Sequence, residues 1–238
     1  MAKNKNSGSA IADVNPDFIG GQLSFEGAEA YKRLRTNLQF AVPDDGGCRI
    51  VGVTSTNRSE GKSTTAVNLA YTIALDGKRV LLIDGDLRLP SIAAKLNLAG
   101  APGLSNLLSG MGATKDILQR SGIHENLYVI SGGDIPPNPS ELLGTKQMKT
   151  ILDTFAKQVD YIIIDLPPIG AVADALVISK FLHGILVVVR MGYASKGELG
   201  SVMRQLKHAN AKVLGFITTH NKTSKGSYGK KNYYAMEE

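Results

Sequence analysis

Disulfide chemistry is closed to this chain. Its 238 residues hold one cysteine, Cys48, so no intramolecular bridge can form, and a cysteine-based zinc or iron–sulfur site is excluded too. A reducing, cytoplasmic setting is the expectation. Tryptophan is absent and aromatic residues make up 6% of the chain. No segment approaches the roughly 18 consecutive apolar residues that a membrane span needs. The opening residues, MAKNKNSGSA, carry two lysines with no apolar stretch behind them, so no signal peptide is expected. The net charge of +6 is largely local, with Lys3 and Lys5 near one end and Lys222, Lys225, Lys230 and Lys231 near the other. Basic ends of this kind attract nucleic acid or anionic lipid. No nucleic-acid-binding motif accompanies them, so they read as solvated tails and nucleic acid is not an expected partner.

What the chain does have is the length of one α/β domain with tails. Residues 1–24 are rich in Asn, Ser, Gly and Asp and read as a flexible arm. A helix is expected from about Glu26 to Val42, with Tyr31, Leu34, Leu38 and Val42 on one stripe, ended by Pro43. Short apolar runs follow at Arg49–Ser55, Arg79–Asp84, Asn126–Ser131, Tyr161–Asp165, Gly184–Arg190 and Ala211–Thr218. Their polarity does not alternate, which predicts strands buried on both faces. Helical patterns lie between them near Lys62–Leu75, Thr145–Lys157, Ala171–Leu182 and Lys196–Asn210. The alternation predicts a doubly wound α/β fold with a mostly parallel sheet flanked by helices, spanning residues 25–221. Residues 222–238 read as a mobile tail containing Tyr228, Tyr233 and Tyr234.

The first strand, VGVTST, runs into NRSEGKSTTAVNLA. Thr56–Ser63 fits the phosphate-binding pattern G-x-x-x-x-G-K-[ST], with Thr56 where the first Gly belongs. Successive backbone N–H groups from Ser59, Glu60 and Gly61 into Lys62, Ser63 and Thr64 would form an anion nest at a helix start. Lys62 would reach the β- and γ-phosphates of a nucleotide, and the Ser63 hydroxyl would ligate magnesium. Two other strands end in carboxylates: LLIDGDLRLP carries Asp84 and Asp86, and YIIIDLPPIG carries Asp165. Ligands of open α/β sheets sit at the carboxyl ends of strands, so these three should gather around Lys62 and Ser63. A single Asp after a strand is often a helix cap. Three of them beside a phosphate loop point to holding Mg²⁺ or accepting a proton.

Together these motifs resemble the MinD/ParA-like branch of P-loop ATPases. Within it the chain is similar to the bacterial tyrosine kinases of capsule and exopolysaccharide systems, the cytoplasmic CpsD/CapB type, from about Glu29 onward. The loop SEGKST, the stretch LLIDGDLRLP, the stretch IIIDLPP and the C-terminal tyrosine cluster carry the resemblance. The loop has Asn57 and Arg58 where MinD-type proteins place an extra Lys. The helix EAYKRLRTN resembles the family's E-x-x-R-x-x-R oligomerisation motif through Glu29 and Arg35. Lys32 stands where the middle Arg is usual and keeps the charge without the bidentate fork.

The resemblance implies an ATP- and Mg²⁺-dependent protein-tyrosine autokinase that phosphorylates Tyr228, Tyr233 and Tyr234 and regulates polysaccharide synthesis and export. Asp84 would be the base toward the tyrosine hydroxyl, Lys62 would stabilise the transferring phosphoryl group, and Ser63, Asp86 and Asp165 would organise magnesium. It implies a ring-like homo-oligomer, a transmembrane activator of the chain-length-determinant type acting through its cytoplasmic tail, and a cognate tyrosine phosphatase. The chain would then sit peripherally at the inner face of the membrane. No motif of the usual protein kinases is visible. A MinD/ParA-type positioning ATPase is the main alternative, and a nucleotide-gated adaptor a further one. The stretch MGYASKGELG after Arg190 either lines the cleft or meets the activator, and the contact to the nucleotide base is left unassigned.

Overall fold

A computed structural model of the chain describes residues 19–43 and 46–220. Tyr228, Tyr233, Tyr234, Asn221 and the lysines near both termini lie outside the described residues. Helix α1 (Phe25–Ala41) begins where the Ser24 hydroxyl accepts the Gly27 N–H at 3.2 Å. It ends before Pro43, which cannot donate to a further turn. Leu38 and Val42 are buried along its stripe, while Tyr31 and Leu34 are half-buried. The chain continues through β1 (Arg49–Ser55), α2 (Lys62–Ala74), β2 (Val80–Asp84) and three short helices, α3 (Ile92–Leu96), α4 (Leu104–Leu108) and α5 (Thr114–Ile117). Then come β3 (Leu118–Arg120), β4 (Leu127–Ile130), α6 (Pro139–Leu143), α7 (Lys146–Ala156), β5 (Tyr161–Asp165) and α8 (Asp174–Ile178). Strand β6 (Gly184–Arg190), α9 (Lys196–His208) and β7 (Val213–Thr219) complete the described elements.

The seven strands form one sheet in the order β3-β4-β2-β5-β1-β6-β7. All pairings are parallel except β3 with β4. The period-2 alternation of a strand sends neighbouring residues to opposite layers. On β5, Ile162 and Ile164 join Met148, Leu152 and Phe155 of α7, while Tyr161 and Ile163 join Val67, Leu69 and Ile73 of α2. Burying each such aliphatic side chain contributes about 1.5–3 kcal/mol, so a charge at Ile163 would break the centre of the sheet.

Several expectations are corrected. Strand β7 is not buried on both faces: it is the sheet edge, and Phe216 is half-exposed. The long helix expected over Ala171–Leu182 is α8 plus a 3-10 turn at Ser179–Phe181, because Pro167, Pro168 and Gly170 keep the chain extended and turning until Asp174. The arm assigned to residues 1–24 is docked at its end. The Gly20 N–H donates to Asn68 Oδ1 on α2 at 2.9 Å, and Ile19 packs on the α2 layer. Helices α3 to α6 and the antiparallel strand β3 span three to five residues each. Such lengths are too short to display a helical period in the sequence.

Candidate active site

The parallel sheet brings the carboxyl ends of β1, β2 and β5 side by side. Strand β1 delivers residues 56–61, which curl into the start of α2. Gly61 (φ 94°) and Ser59 (φ 60°) both adopt the left-handed conformation that curled anion nests require. Glycine at 61 answers the left-handed conformation; a Cβ there would meet the Thr219 methyl at 3.4 Å, an ordinary contact distance. The first-turn N–H groups of α2, including those of Lys62, Ser63 and Thr64, have no partner within the helix.

Thr56 replaces the first glycine of the pattern, and the loop is braced around it. Glu60 Oε2 accepts the N–H groups of Thr56 at 2.9 Å and Asn57 at 3.1 Å. The Ser55 hydroxyl donates to Asn57 O at 2.6 Å and the Gly170 N–H donates to Thr56 O at 3.1 Å. From the other side, Thr219 Oγ1 donates to Glu60 O at 2.8 Å, and Arg190 Nη1 to Ser59 O at 3.4 Å. Asn57 Nδ2 donates to Glu198 Oε1 on the first turn of α9 at 3.3 Å. Glu60 is therefore a brace for its own loop, and only its backbone remains for phosphate. Burial pushes its carboxyl pKa upward.

Lys62 turns toward the acids. Its Nζ lies 2.9 Å from Asp86 Oδ2, 3.4 Å from both oxygens of Asp165 and 3.2 Å from Ser63 Oγ. Burial works to lower the Lys62 pKa, but Asp165 and Asp86 outweigh it and hold the ammonium charged. Asp84 and Asp165 occupy register-paired positions on adjacent strands, a spacing of about 4.8 Å between backbones. Both are fully buried. Burial, followed by the charge of Asp165, pushes Asp84 up to about 7. Burial likewise raises Asp165, against the pull of Lys62. Asp84 is gripped by backbone N–H groups: Oδ2 accepts from Ser91 at 2.8 Å and Ile92 at 2.9 Å, and Oδ1 from Asp86 at 3.3 Å. Asp86 Oδ1 accepts the Leu89 N–H at 3.1 Å.

Two carboxylates, Asp86 and Asp165, thus face one ammonium within ion-pair distance, with Asp84 alongside on the next strand, a local deficit of positive charge that suits a divalent cation. Among the described residues no group of three acidic, His or Cys side chains is arranged to hold an ion unaided. Magnesium keeps waters and takes one or two protein oxygens plus phosphates, so it does not need such a group. Ser63 and Asp86 are the groups placed to take part.

Some neighbours of the site were not anticipated from the sequence. Arg88 binds the buried Asp174 with both prongs, Nε at 2.9 Å and Nη2 at 3.0 Å, and Nη2 also donates to Ser140 Oγ at 3.1 Å. The Ser140 hydroxyl donates to the same Asp174 carboxylate. The segment 131–134 covers Asp84: a Cβ on Gly132 would stand 2.6 Å from Pro90 Cβ and 3.8 Å from Asp84 Cγ. Lys95 of α3 is half-buried, and burial lowers its pKa. The signals were Arg88 inside the acidic motif and the dense Pro-Pro-Asn-Pro-Ser run that leads into the first turn of α6.

The residues expected to oligomerise lie on α1, away from the cleft. Lys32 Nζ pairs with Glu29 Oε1 at 2.7 Å on the exposed face. Arg35 is turned toward α2, donating to Thr72 O at 3.1 Å and pairing with Asp76 Oδ1 at 3.3 Å.

A family described as an AAA domain matches residues 48–215. The chain is 37% identical to the tyrosine-protein kinase YwqD of Bacillus subtilis, with all of both chains covered. It is 39% identical to the putative tyrosine-protein kinase EpsB of Ralstonia solanacearum over 79% of this chain, but spans only 25% of that protein. Among solved structures, the kinase domain of the Escherichia coli tyrosine kinase ETK superposes with a TM-score of 0.77 at 32% identity, covering 85% of this chain and 80% of that one.

Proposed function

The chain belongs to the bacterial tyrosine-protein kinases built on an AAA domain, and from that premise we propose that it transfers the γ-phosphoryl group of ATP to tyrosine hydroxyls. The observation that carries this reading is the meeting of Lys62 with Asp86 at 2.9 Å and Asp165 at 3.4 Å directly behind the phosphate loop, with Asp84 alongside. The nest around Gly61 cradles the phosphates. Magnesium, held by Ser63 and Asp86 with help from Asp165, would neutralise charge on the β- and γ-phosphates. Lys62 stabilises the phosphoryl group in transfer.

The balance of the step is simple. The tyrosine oxygen forms a bond to the γ-phosphorus, the bond from that phosphorus to the bridging oxygen breaks, and ADP leaves. The hydroxyl proton passes to Asp84. A carboxylate offers about four acceptor positions, and backbone donors take three at Asp84. A carboxyl pushed up to about 7 suits a base near neutral pH.

The acceptors in this reading are Tyr228, Tyr233 and Tyr234, and the activity regulates capsular or exopolysaccharide synthesis and export. No helix among the described residues is long and apolar enough to cross a membrane, so a transmembrane activator of the chain-length-determinant type would bring the chain there through its cytoplasmic tail. A ring of copies joined through Glu29, Lys32 and Arg35, and a tyrosine phosphatase that resets the acceptors, complete the proposal. Phosphosite mass spectrometry after incubation with Mg·ATP, with and without an activator tail, tests it. Phosphate on those tyrosines in wild type and none in Lys62→Met is expected. Steady ATP hydrolysis with no phosphotyrosine under any condition would overturn it.

A further inference from the structure

Three loops converge on the acidic side of the cleft, and one ion pair joins all three. Arg88 lies two residues beyond Asp86 in the loop after β2. Asp174 opens α8, downstream of Asp165, and Ser140 sits in the first turn of α6. Asp174 is fully buried, and its carboxylate takes Arg88 Nε, Arg88 Nη2 and the Ser140 hydroxyl. A bidentate guanidinium–carboxylate pair fixes distance and plane together, which a lysine point charge does not. The base of the same loop is closed on both sides: the Gly85 N–H donates to Asp165 O at 2.8 Å, and Asp84 accepts the N–H groups of Ser91 and Ile92. Asp86 hangs between this closed base and the Arg88 clamp at the crown of the loop. Its own side chain is set by the Leu89 N–H and by Lys62.

We infer that Arg88, clamped by Asp174 and Ser140, is a positioning residue that sets the Asp86 carboxylate for the metal-bound nucleotide. This inference rests on the proposed kinase reading for its meaning, but its test does not depend on phosphotransfer. Removing the clamp frees the crown of the loop around Asp86 while leaving its base, held by Asp84 to Ser91 and Ile92, and the phosphate loop, which among the described residues shares no hydrogen bond or ion pair with Arg88, as they were. Groups that orient a metal ligand from behind typically change metal affinity or activity by about ten- to hundredfold.

The test measures binding of a fluorescent ADP analogue to the full chain by titration, in EDTA and across a Mg²⁺ series, with thermal unfolding alongside. Wild type, Arg88→Lys, Arg88→Gln and Ser140→Ala are compared. The expected result for both Arg88 variants is unchanged affinity in EDTA and a half-saturating Mg²⁺ concentration raised by about ten- to hundredfold. Ser140→Ala should shift it in the same direction by less. Unchanged Mg²⁺ dependence in a folded Arg88 variant overturns the inference. Equal loss of affinity with and without Mg²⁺, tracking a lowered melting temperature, also overturns it, because that pattern marks a purely structural clamp. If Arg88→Gln does not fold, Arg88→Lys and Ser140→Ala carry the same comparison. Absence of phosphotyrosine in wild type would count against the kinase reading and leave this Mg²⁺ comparison intact.

Discussion

The two loops that form the cleft are held by different physics. The phosphate loop is held by hydrogen bonds to its backbone groups: the Thr56 and Asn57 N–H groups donate to the Glu60 side chain, the Gly170 N–H to Thr56 O, and the Thr219 hydroxyl to Glu60 O. The acidic loop is held by charge: Lys62 with Asp86 and Asp165, and Arg88 with Asp174. A hydrogen-bonded loop responds to shape, and a charge-held loop responds to protons and cations. The chain thereby keeps a rigid cradle on one side and a titratable, ion-sensitive wall on the other.

The sharpest way to separate the two walls is to neutralise the charged one. Asp84→Asn should lower phosphotransfer by about 10²–10⁴-fold, the range of a lost general base, with nucleotide affinity little changed. A kcat against KM comparison checks this. Wild-type rate should rise with pH through about 7, the value to which burial and Asp165 push Asp84, and the variant should lose that limb. Lys62→Met should cost about 10²–10³-fold, as for loss of one preorganised group on the reacting charge.

Protons should also act on stability. Asp84 is raised from its ordinary value to about 7 in the folded chain, so the folded state binds the proton more tightly than the unfolded one. Its contribution is therefore most favourable below about 4, near the unfolded carboxyl pKa, and is lost as pH rises through about 7. The difference between wild-type and Asp84→Asn melting curves from pH 4 to 8 should show wild type losing ground as pH increases. A flat difference would break the claim that this wall is charge-strained.

The hydrogen-bonded wall should fail by shape instead. A Cβ at Gly170 would stand 2.5 Å from Thr56 O, a backbone atom that cannot step aside alone. Gly170→Ala should destabilise by about 1–3 kcal/mol, the usual cost of overpacking, and weaken nucleotide binding equally with and without Mg²⁺. At the far edge, Phe216→Ser on β7 should change stability by no more than about 0.5 kcal/mol and leave phosphotransfer alone, since that side chain is half-exposed.

Legibility in the sequence divides along similar lines. The phosphate loop and the three aspartates could be read because each is a strand end joined to a motif in one continuous stretch. The sheet was legible for the same reason, since non-alternating apolar runs such as YIIID have few other uses. What escaped reading depends on partners far apart in the chain. Arg88 and Asp174 are 86 residues apart and Thr219 and Glu60 are 159 apart, and neither pair leaves a local period or spacing. In the sequence Glu60 belongs with the ligand contact because it lies inside the motif. Its inward turn answers the Thr56 substitution, which only the folded loop reveals. The acceptor assignment to Tyr228, Tyr233 and Tyr234 still stands on the sequence, because those residues lie outside the described structure.

The grip of Thr219 on the phosphate loop has a kinetic consequence. Thr219 ends β7 against Gly61 and Glu60, so the polypeptide leaves the sheet at the cradle itself. Tyr228 follows nine positions later, so chain length alone keeps it within about 30 Å of Thr219. A group bound to its own chain at such a distance is presented at an effective concentration on the order of millimolar. Under the proposed activity, acceptor supply is then set by chain connectivity rather than by diffusion. The dilution behaviour reports whose cleft is served: a per-chain rate independent of protein concentration marks transfer within one chain or a standing assembly, and a rate proportional to concentration marks chance encounter.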